Sequence, residues 1–441
     1  MRKIVLILFL STLIYAQQQI DIPWSTLAHS PYPMISHDPQ ITGRSPYSGP
    51  KSAAIKWTMD LPYGVFSGPI ISEGGTLFVG TFSYLYIIGD TTNYFYSINP
   101  ITGEINWTFQ TGDPNMNDSG YLINNEGTII FGSQSGWLYA IDTLGNLKWE
   151  YDTGNNIYQS VMNIDLQGNI YITNESEYLY SISQNGDLNW KVNFGGGFGA
   201  KSVSITPDGN TIYIIANNDS IYALNLSGNI IKVFSYCNNI NDRAPLLIDN
   251  SGNIYLLSRY QESGGALISF SSTGIINWLY VIDQGNPWFT DSSPCMDYEG
   301  NIYYTYSVDS SNVLYSRLES VDYYGNYRWT YQFEQPNEEI YVSLKCDKDG
   351  NIYCGSSWGY YYYAISKNGK LLWKLPLEGY QVHNSGAIDS DGTLYIGGHL
   401  CSICTGEKNT LIAIKDTVTS IAEDPQIILK CKLEQNYPNP F

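Results

Sequence analysis

A turn glycine that opens a short apolar strand recurs eight times in this chain: Gly75, Gly127, Gly168, Gly209, Gly252, Gly300, Gly350 and Gly392. GNIYITN follows at 168, GNIYLLS at 252 and GNIYCGS at 350. A second series marks the end of each unit: Trp57, Trp107, Trp149, Trp190, Val233, Trp278, Trp329 and Trp373. The seven steps from Trp57 to Trp373 average about 45 residues, a period that belongs to repeat architectures. One tile, Gly127 to Trp149, reads GTIIFGSQSGWLYAIDTLGNLKW. Short runs of Ile, Phe, Tyr and Trp between Gly, Asn, Asp and Ser are what antiparallel strands and tight turns require. No stretch of the tile keeps a 3.6-residue apolar period, which excludes a helix.

Four short strands per unit at this period predict an all-β fold, an eight-bladed β-propeller of antiparallel blades. The two series are out of phase. Trp57 precedes the first turn glycine, and no Trp follows the last. The final unit, DGTLYIGG then TLIAIK, lacks a closing strand, while AAIKW at 53–57 has no unit of its own. Pairing the two completes an eighth blade and removes an exposed sheet edge. Seven blades or a split sheet is the alternative. Segments rich in small residues, such as SGPII, SGYLI and SVMNI, precede the turn glycines and suit strands crowded around an axis.

These tiles resemble the repeats of the pyrroloquinoline-quinone-binding-like (PQQ-like) β-propeller family. SHDPQITGRSPYSGP at 36–50 also resembles the segment before the first blade in exported members. The resemblance covers residues 36–415. Blade 4 departs from it at Val233, where Trp is usual, and blades 5 and 6 carry longer middle loops at 259–265 and 306–313.

The division expected from sequence is a leader at 1–16, a lead-in at 17–50, the propeller at 51–415, a linker at 416–432 and a C-terminal remnant at 433–441. Arg2 and Lys3, an apolar run from Ile4 to Ile14 and a small Ala16 form a secretory leader pattern. The run is too short to span a bilayer. The terminal LEQNYPNPF resembles the start of a C-terminal sorting domain of type IX secretion in the Bacteroidota. It implies a secreted or outer-surface protein handled by that machinery. The formal charge of −19 without a basic stripe excludes nucleic acid as a partner.

The tryptophans, one per blade, read as packing devices (Trp57, Trp107, Trp149, Trp190, Trp278, Trp329 and Trp373) rather than a binding site. Family enzymes hold the quinone with calcium, and many carry a disulfide between adjacent cysteines. No adjacent pair occurs among the seven cysteines, and Thr405 stands where a haem-attachment His would follow Cys401-Ser-Ile-Cys404. Neither PQQ nor calcium is expected as a cofactor. Asp347-Lys-Asp349-Gly350 and Asp389-Ser-Asp391-Gly392 begin like calcium loops, but glycine comes fourth rather than sixth. Cys401 and Cys404 are read as a local disulfide, with a metal site or free thiols as alternatives.

The loops from each closing strand to the next inner strand are expected on one face. They carry a candidate ligand rim of Tyr63, Asn117, Tyr158, Phe198, Arg243, Trp288, Tyr341 and His383. Aromatic rings beside Asn and Asp suit a protein or glycan. The functional expectation is an exported, non-catalytic binding or scaffold module at the cell surface. Two alternatives follow from the resemblance: a PQQ-dependent dehydrogenase, and a propeller that assists outer-membrane protein assembly.

Overall fold

The structure, a computed structural model, describes residues 17–81, 94–111, 119–157, 160–195, 202–216, 220–234, 245–260, 264–282, 287, 293–310, 313–340, 342–357, 361–377, 380–382, 384, 386–400 and 409–416. Eight antiparallel sheets follow one another around an axis. Blade 2 sets the pattern, with Tyr121–Ile123 innermost, then Ile129–Gly132, Trp137–Ile141 and outermost Leu147–Asp152. The two middle strands are covered on both faces by neighbouring blades, so both read as nearly continuous apolar runs. The outermost strand alternates exposed and half-buried residues, the period of a strand with one face covered. The chain is thus an eight-bladed propeller with four strands per blade. Blade 8 adds a short fifth strand, Tyr380–Gln381.

Ring closure follows the phase of the two repeat series. Ile55–Leu61 pairs antiparallel with Asn409–Ile414, from Ile55 opposite Ile414 to Leu61 opposite Asn409. The turn that elsewhere joins the third and fourth strands is here severed and rebuilt across the chain. In blade 2, Asp142 accepts the N–H groups of Leu144 and Asn146 through Oδ1. In blade 8, Asp416 Oδ1 accepts those of Lys51 and Ser52 at 2.7 and 2.8 Å, and Lys415 N–H reaches Ala54 O.

The turn between first and second strands is organised by one side chain. Asp165, Asp249, Asp297 and Asp347 each accept two backbone N–H groups on Oδ1, two and four residues on. On Oδ2 each accepts an Asn amide and a Tyr hydroxyl, as Asp297 does from Asn301 at 2.8 Å and Tyr303 at 2.6 Å. This is the Asx-turn chemistry of aspartate, extended by a tyrosine clamp. It occupies both oxygens of the Asp347 carboxylate, the first ligand of the calcium-loop reading. Among the described residues, no group of three His, Cys, Asp or Glu is placed to hold a metal.

Each blade tryptophan clips the next blade. Trp149 donates its indole N–H to Gln184 O at 2.9 Å, and its ring lies where a Cβ on Gly186 would come to 2.8 Å. Gly186, at φ +89°, is both the residue the turn conformation needs and the only one the ring tolerates. The other tryptophans repeat this, and Trp373 closes the circle on Pro50 O at 2.9 Å. Behind the indole stands an aromatic ring of its own blade, as Tyr303 does 5.8 Å from Trp329. Blade 4 keeps the clip despite Val233: the next residue, Phe234, is buried over Gly274. The extra residues expected as middle loops in blades 5 and 6 mostly lengthen strands instead. Blade 6 has Ile302–Ser310 paired with Val313–Val321 through nine residues.

The segment at 17–50, read as a lead-in, fills the axis. The innermost strand of a blade has one edge with no neighbour, and its N–H and C=O groups point at the axis. Six of these edges are taken up by carbonyls of the segment. Ile71 N–H bonds Tyr32 O at 2.8 Å, Ile123 bonds Pro33 O at 2.8 Å and Ile205 bonds Pro39 O at 3.0 Å. Ile248 bonds Gln40 O at 2.9 Å, Met296 bonds Thr42 O at 3.0 Å and Cys346 bonds Gly43 O at 3.0 Å. Blade 3 adds Asn163 Nδ2 to Pro39 O at 2.8 Å and Trp24 Nε1 to Ile164 O at 2.8 Å. Prolines suit this role, because each offers a carbonyl and has no N–H to satisfy. Ser36, His37 and Ile41 have φ of 69°, 76° and 59°, so the segment curls tightly between successive edges.

Arg44 fastens the start of the segment. Its buried guanidinium donates to Ile20 O at 2.9 Å and to Asp21 Oδ1 at 3.3 Å, and stacks 4.5 Å from the Tyr298 ring centroid. Tyr298 in turn donates to Asp21 Oδ2 at 2.7 Å.

Closure by residues 55–61 has a direct consequence. Deleting 51–61 bares the Asn409–Ile414 edge and is expected to give a self-associating protein with a lower melting temperature in size-exclusion chromatography with light scattering and in calorimetry. A monomer with unchanged melting would contradict the closure.

Candidate functional site

The axial segment bonds the inner strands next to the Asp-Gly turns, so it seals that end of the axis. The opposite end is built from the loops between second and third strands and those that step to the next blade. Of the rim residues expected there, Tyr63 is described and half-buried, in the step from Leu61 to Val65. Asn117, Tyr158, Phe198, Arg243, Trp288, Tyr341 and His383 lie outside the described residues, as do Cys401 and Cys404.

The described residues of this face include an amide-rich stretch over blades 2 and 3. Asn156 Nδ2 donates to Glu175 Oε2 at 2.9 Å, and Glu175 N–H returns to Asn156 O at 2.8 Å. Asn155 donates to Ser176 Oγ, and Asn193 Nδ2 to Ser176 O at 3.2 Å. Below them Thr153 O accepts both Tyr180 OH at 2.7 Å and Asn174 Nδ2 at 3.3 Å, so the loop of one blade is stitched to the turn of the next. The neighbouring turn needs Glu177 at φ +58°. Beside it a shallow apolar depression lies between blades 3 and 4, lined by Thr173, Glu177, Phe194, Ile214, Ile215 and Ala216. The stretch presents fixed amides beside a ring, an arrangement suited to binding polar ligands or a polar protein surface.

One acid of this face was not singled out from sequence as a special group. Glu338, fully buried in the loop after blade 6, takes the Tyr363 hydroxyl on both oxygens at 2.8 and 2.9 Å. Its own carbonyl accepts Ser316 Oγ at 2.6 Å, and Asn337 beside it adopts φ 59°. Burial raises its carboxyl above the ordinary range, opposed by the hydrogen bond from Tyr363. The sequence signal was faint: Glu338 and Glu339 read only as scattered acids of the rim. Glu319 is a second buried acid, held within blade 6 by Tyr304 at 2.5 Å, Tyr306 at 3.0 Å and Thr330 at 2.6 Å. It faces the interior rather than the rim.

A protein-family profile described as outer membrane protein assembly factor BamB matches residues 47–232. Among solved structures, BamB from Moraxella catarrhalis superposes with a TM-score of 0.59 at 12% identity, covering 82% of this chain and 100% of that one. A structure titled the Dos1 propeller gives a TM-score of 0.56 at 9% identity, covering 83% and 96%. No curated protein matches the sequence. These likenesses agree with the propeller fold and with the PQQ-like repeat.

The raised Glu338 carboxyl fixes the sign of a pH effect. The folded state holds this proton more tightly than the unfolded chain does. The group therefore opposes folding increasingly as pH rises from the unfolded value through the raised folded one. Glu338→Gln is expected to stabilise the protein at pH 7, where the ionised carboxylate opposes folding. Calorimetry should show the gain vanish near pH 4. A variant less stable than the parent at pH 7 would show the ionised carboxylate to be favourable.

Proposed function

We propose that this chain is an exported, non-catalytic propeller that binds a protein partner at the cell envelope through its loop face. The observation that carries the reading is the filled axis. Residues 32–43 occupy the inner edges of six blades, and Tyr47 to Pro50 continue the segment past blade 7. At the turn end, the axial space is taken by the chain itself. The loop face is then the surface left free to vary without disturbing the ring. The BamB-like profile and fold support an assembly-factor-like role in preference to a dehydrogenase. The leader pattern and LEQNYPNPF support export through the type IX route to the cell surface. Asn-rich loops would also serve a glycan, and a glycan array distinguishes the two ligand classes.

The test is crosslinking from the rim. A photoreactive residue at Tyr63 or Tyr158 should capture a discrete envelope protein in cells, and one at Leu144, on the opposite turns, should not. Trp288→Ala should weaken that complex about 5- to 150-fold, as loss of an aromatic anchor of roughly 1–3 kcal/mol does. Capture from Leu144 alone would move the interface to the turn face. Stoichiometric retention of pyrroloquinoline quinone with calcium, together with substrate-dependent dye reduction, would overturn the non-catalytic reading.

A further inference from the structure

We infer that Cys295 and Cys346 form a disulfide that joins the innermost strands of blades 6 and 7 beneath the axial segment. The register of the ring places them face to face. Side chains alternate along a strand, so the first residue of one innermost pair faces the second residue of the next blade's pair. Leu247 of blade 5 and Met296 of blade 6 share one core in this way. Cys295 of blade 6 and Cys346 of blade 7 share the next. At the second position six blades carry Ile and blade 6 carries Met296; only blade 7 carries Cys, and it is the blade whose facing residue is also Cys.

Contacts around the pair agree. The two strands are neighbours, with residues within 8 Å of each other between Cα atoms, and the bond would hold the two cysteines at about 4.4–6.8 Å. Gly43 lies over both residues. Its carbonyl accepts Cys346 N–H at 3.0 Å, and a Cβ on it would stand 2.9 Å from Cys295 Cβ. Both cysteines are fully buried thiols in the structure. Burial and the adjoining Cys295 thiol raise the Cys346 thiol well above its ordinary range, so it is a poor nucleophile once the ring is closed.

Oxidation therefore precedes seating of the axial segment. One thiolate attacks a small-molecule or protein disulfide and forms a mixed disulfide; the second displaces the carrier thiol. The new Sγ–Sγ bond costs the protein two protons and two electrons, and the acceptor's S–S bond is reduced to two thiols. The oxidant is the disulfide pool of an exporting compartment. Cys354, on the next strand of blade 7, belongs to the same core and is the competing partner.

The experiment uses residues 17–416 secreted with a leader into an oxidising periplasm, and the same chain made in a reducing cytosol. Each sample is denatured in the presence of iodoacetamide and mapped by mass spectrometry. The secreted protein is expected to yield a Cys295–Cys346 crosslinked peptide, with Cys354 alkylated. It should melt about 4 °C above its reduced form. Cys346→Val, which restores the β-branched residue type that six other blades carry there, should fold and melt like the reduced protein in either compartment. Alkylated Cys295 and Cys346 in secreted protein that is properly folded by circular dichroism would overturn the inference, and so would a Cys295–Cys354 crosslink.

Discussion

Eight unpaired strand edges converging on one axis are the constraint on which this structure depends. A propeller buries its sheet faces against one another but leaves every innermost strand with a line of backbone donors and acceptors aimed inward. Water serves them where the axis is open. Here the chain does, with carbonyls from Tyr32 to Gly43 meeting Ile71, Ile123, Ile205, Ile248, Met296 and Cys346. Each such bond contributes about 1 kcal/mol net. Their larger effect is geometric, because one continuous segment is held by six blades at once and fixes their spacing.

The outer ring is secured by different chemistry. An indole N–H, a turn carbonyl and a glycine face meet at each joint, as in Trp329, Lys367 and Gly369. The aspartate–asparagine–tyrosine turns then hold the second strand, where the tyrosine packs on the same indole, as Tyr255 does 5.9 Å from Trp278. Tyrosine abundance thus has a mechanical cause. Its ring packs between blades while its hydroxyl closes a turn, and burial raises these phenols well above their ordinary range. Three layers follow: a hydrogen-bonded axis, a double-faced apolar middle and a clipped perimeter. The loop face alone is released from all three.

The repeat made the ring and its closure legible, because glycine at positive φ and tryptophan at a joint are demands that few other residues meet. The mismatch between the two series marked AAIKW at 53–57 as the closing strand, which the structure places at Ile55–Leu61. The axial segment was not legible as such. Its partners are backbone groups, which leave no side-chain pattern, and it read only as a lead-in to the first blade. Phe234 standing in for the missing tryptophan escaped notice, since a shift by one residue moves a side chain to the other face of a strand. The extended hairpin of blade 6 read as a loop because Ser307, Asp309 and Ser310 are polar. Of the rim, only Tyr63 falls among the described residues. Glu338 shows why acids there are hard to rank: burial comes from Tyr363 and the loop's own fold, neither of which its sequence neighbours encode.

Native-state hydrogen exchange, resolved to single amides, tests the filled axis most directly. The N–H groups of Ile71, Ile123, Ile205, Ile248, Met296 and Cys346 should exchange only with global unfolding, as slowly as Ile130 and Tyr171 in the middle strands. Exchange of these six at rates near those of free edge amides, with the middle strands still protected, would show that residues 32–43 do not occupy the axis in solution.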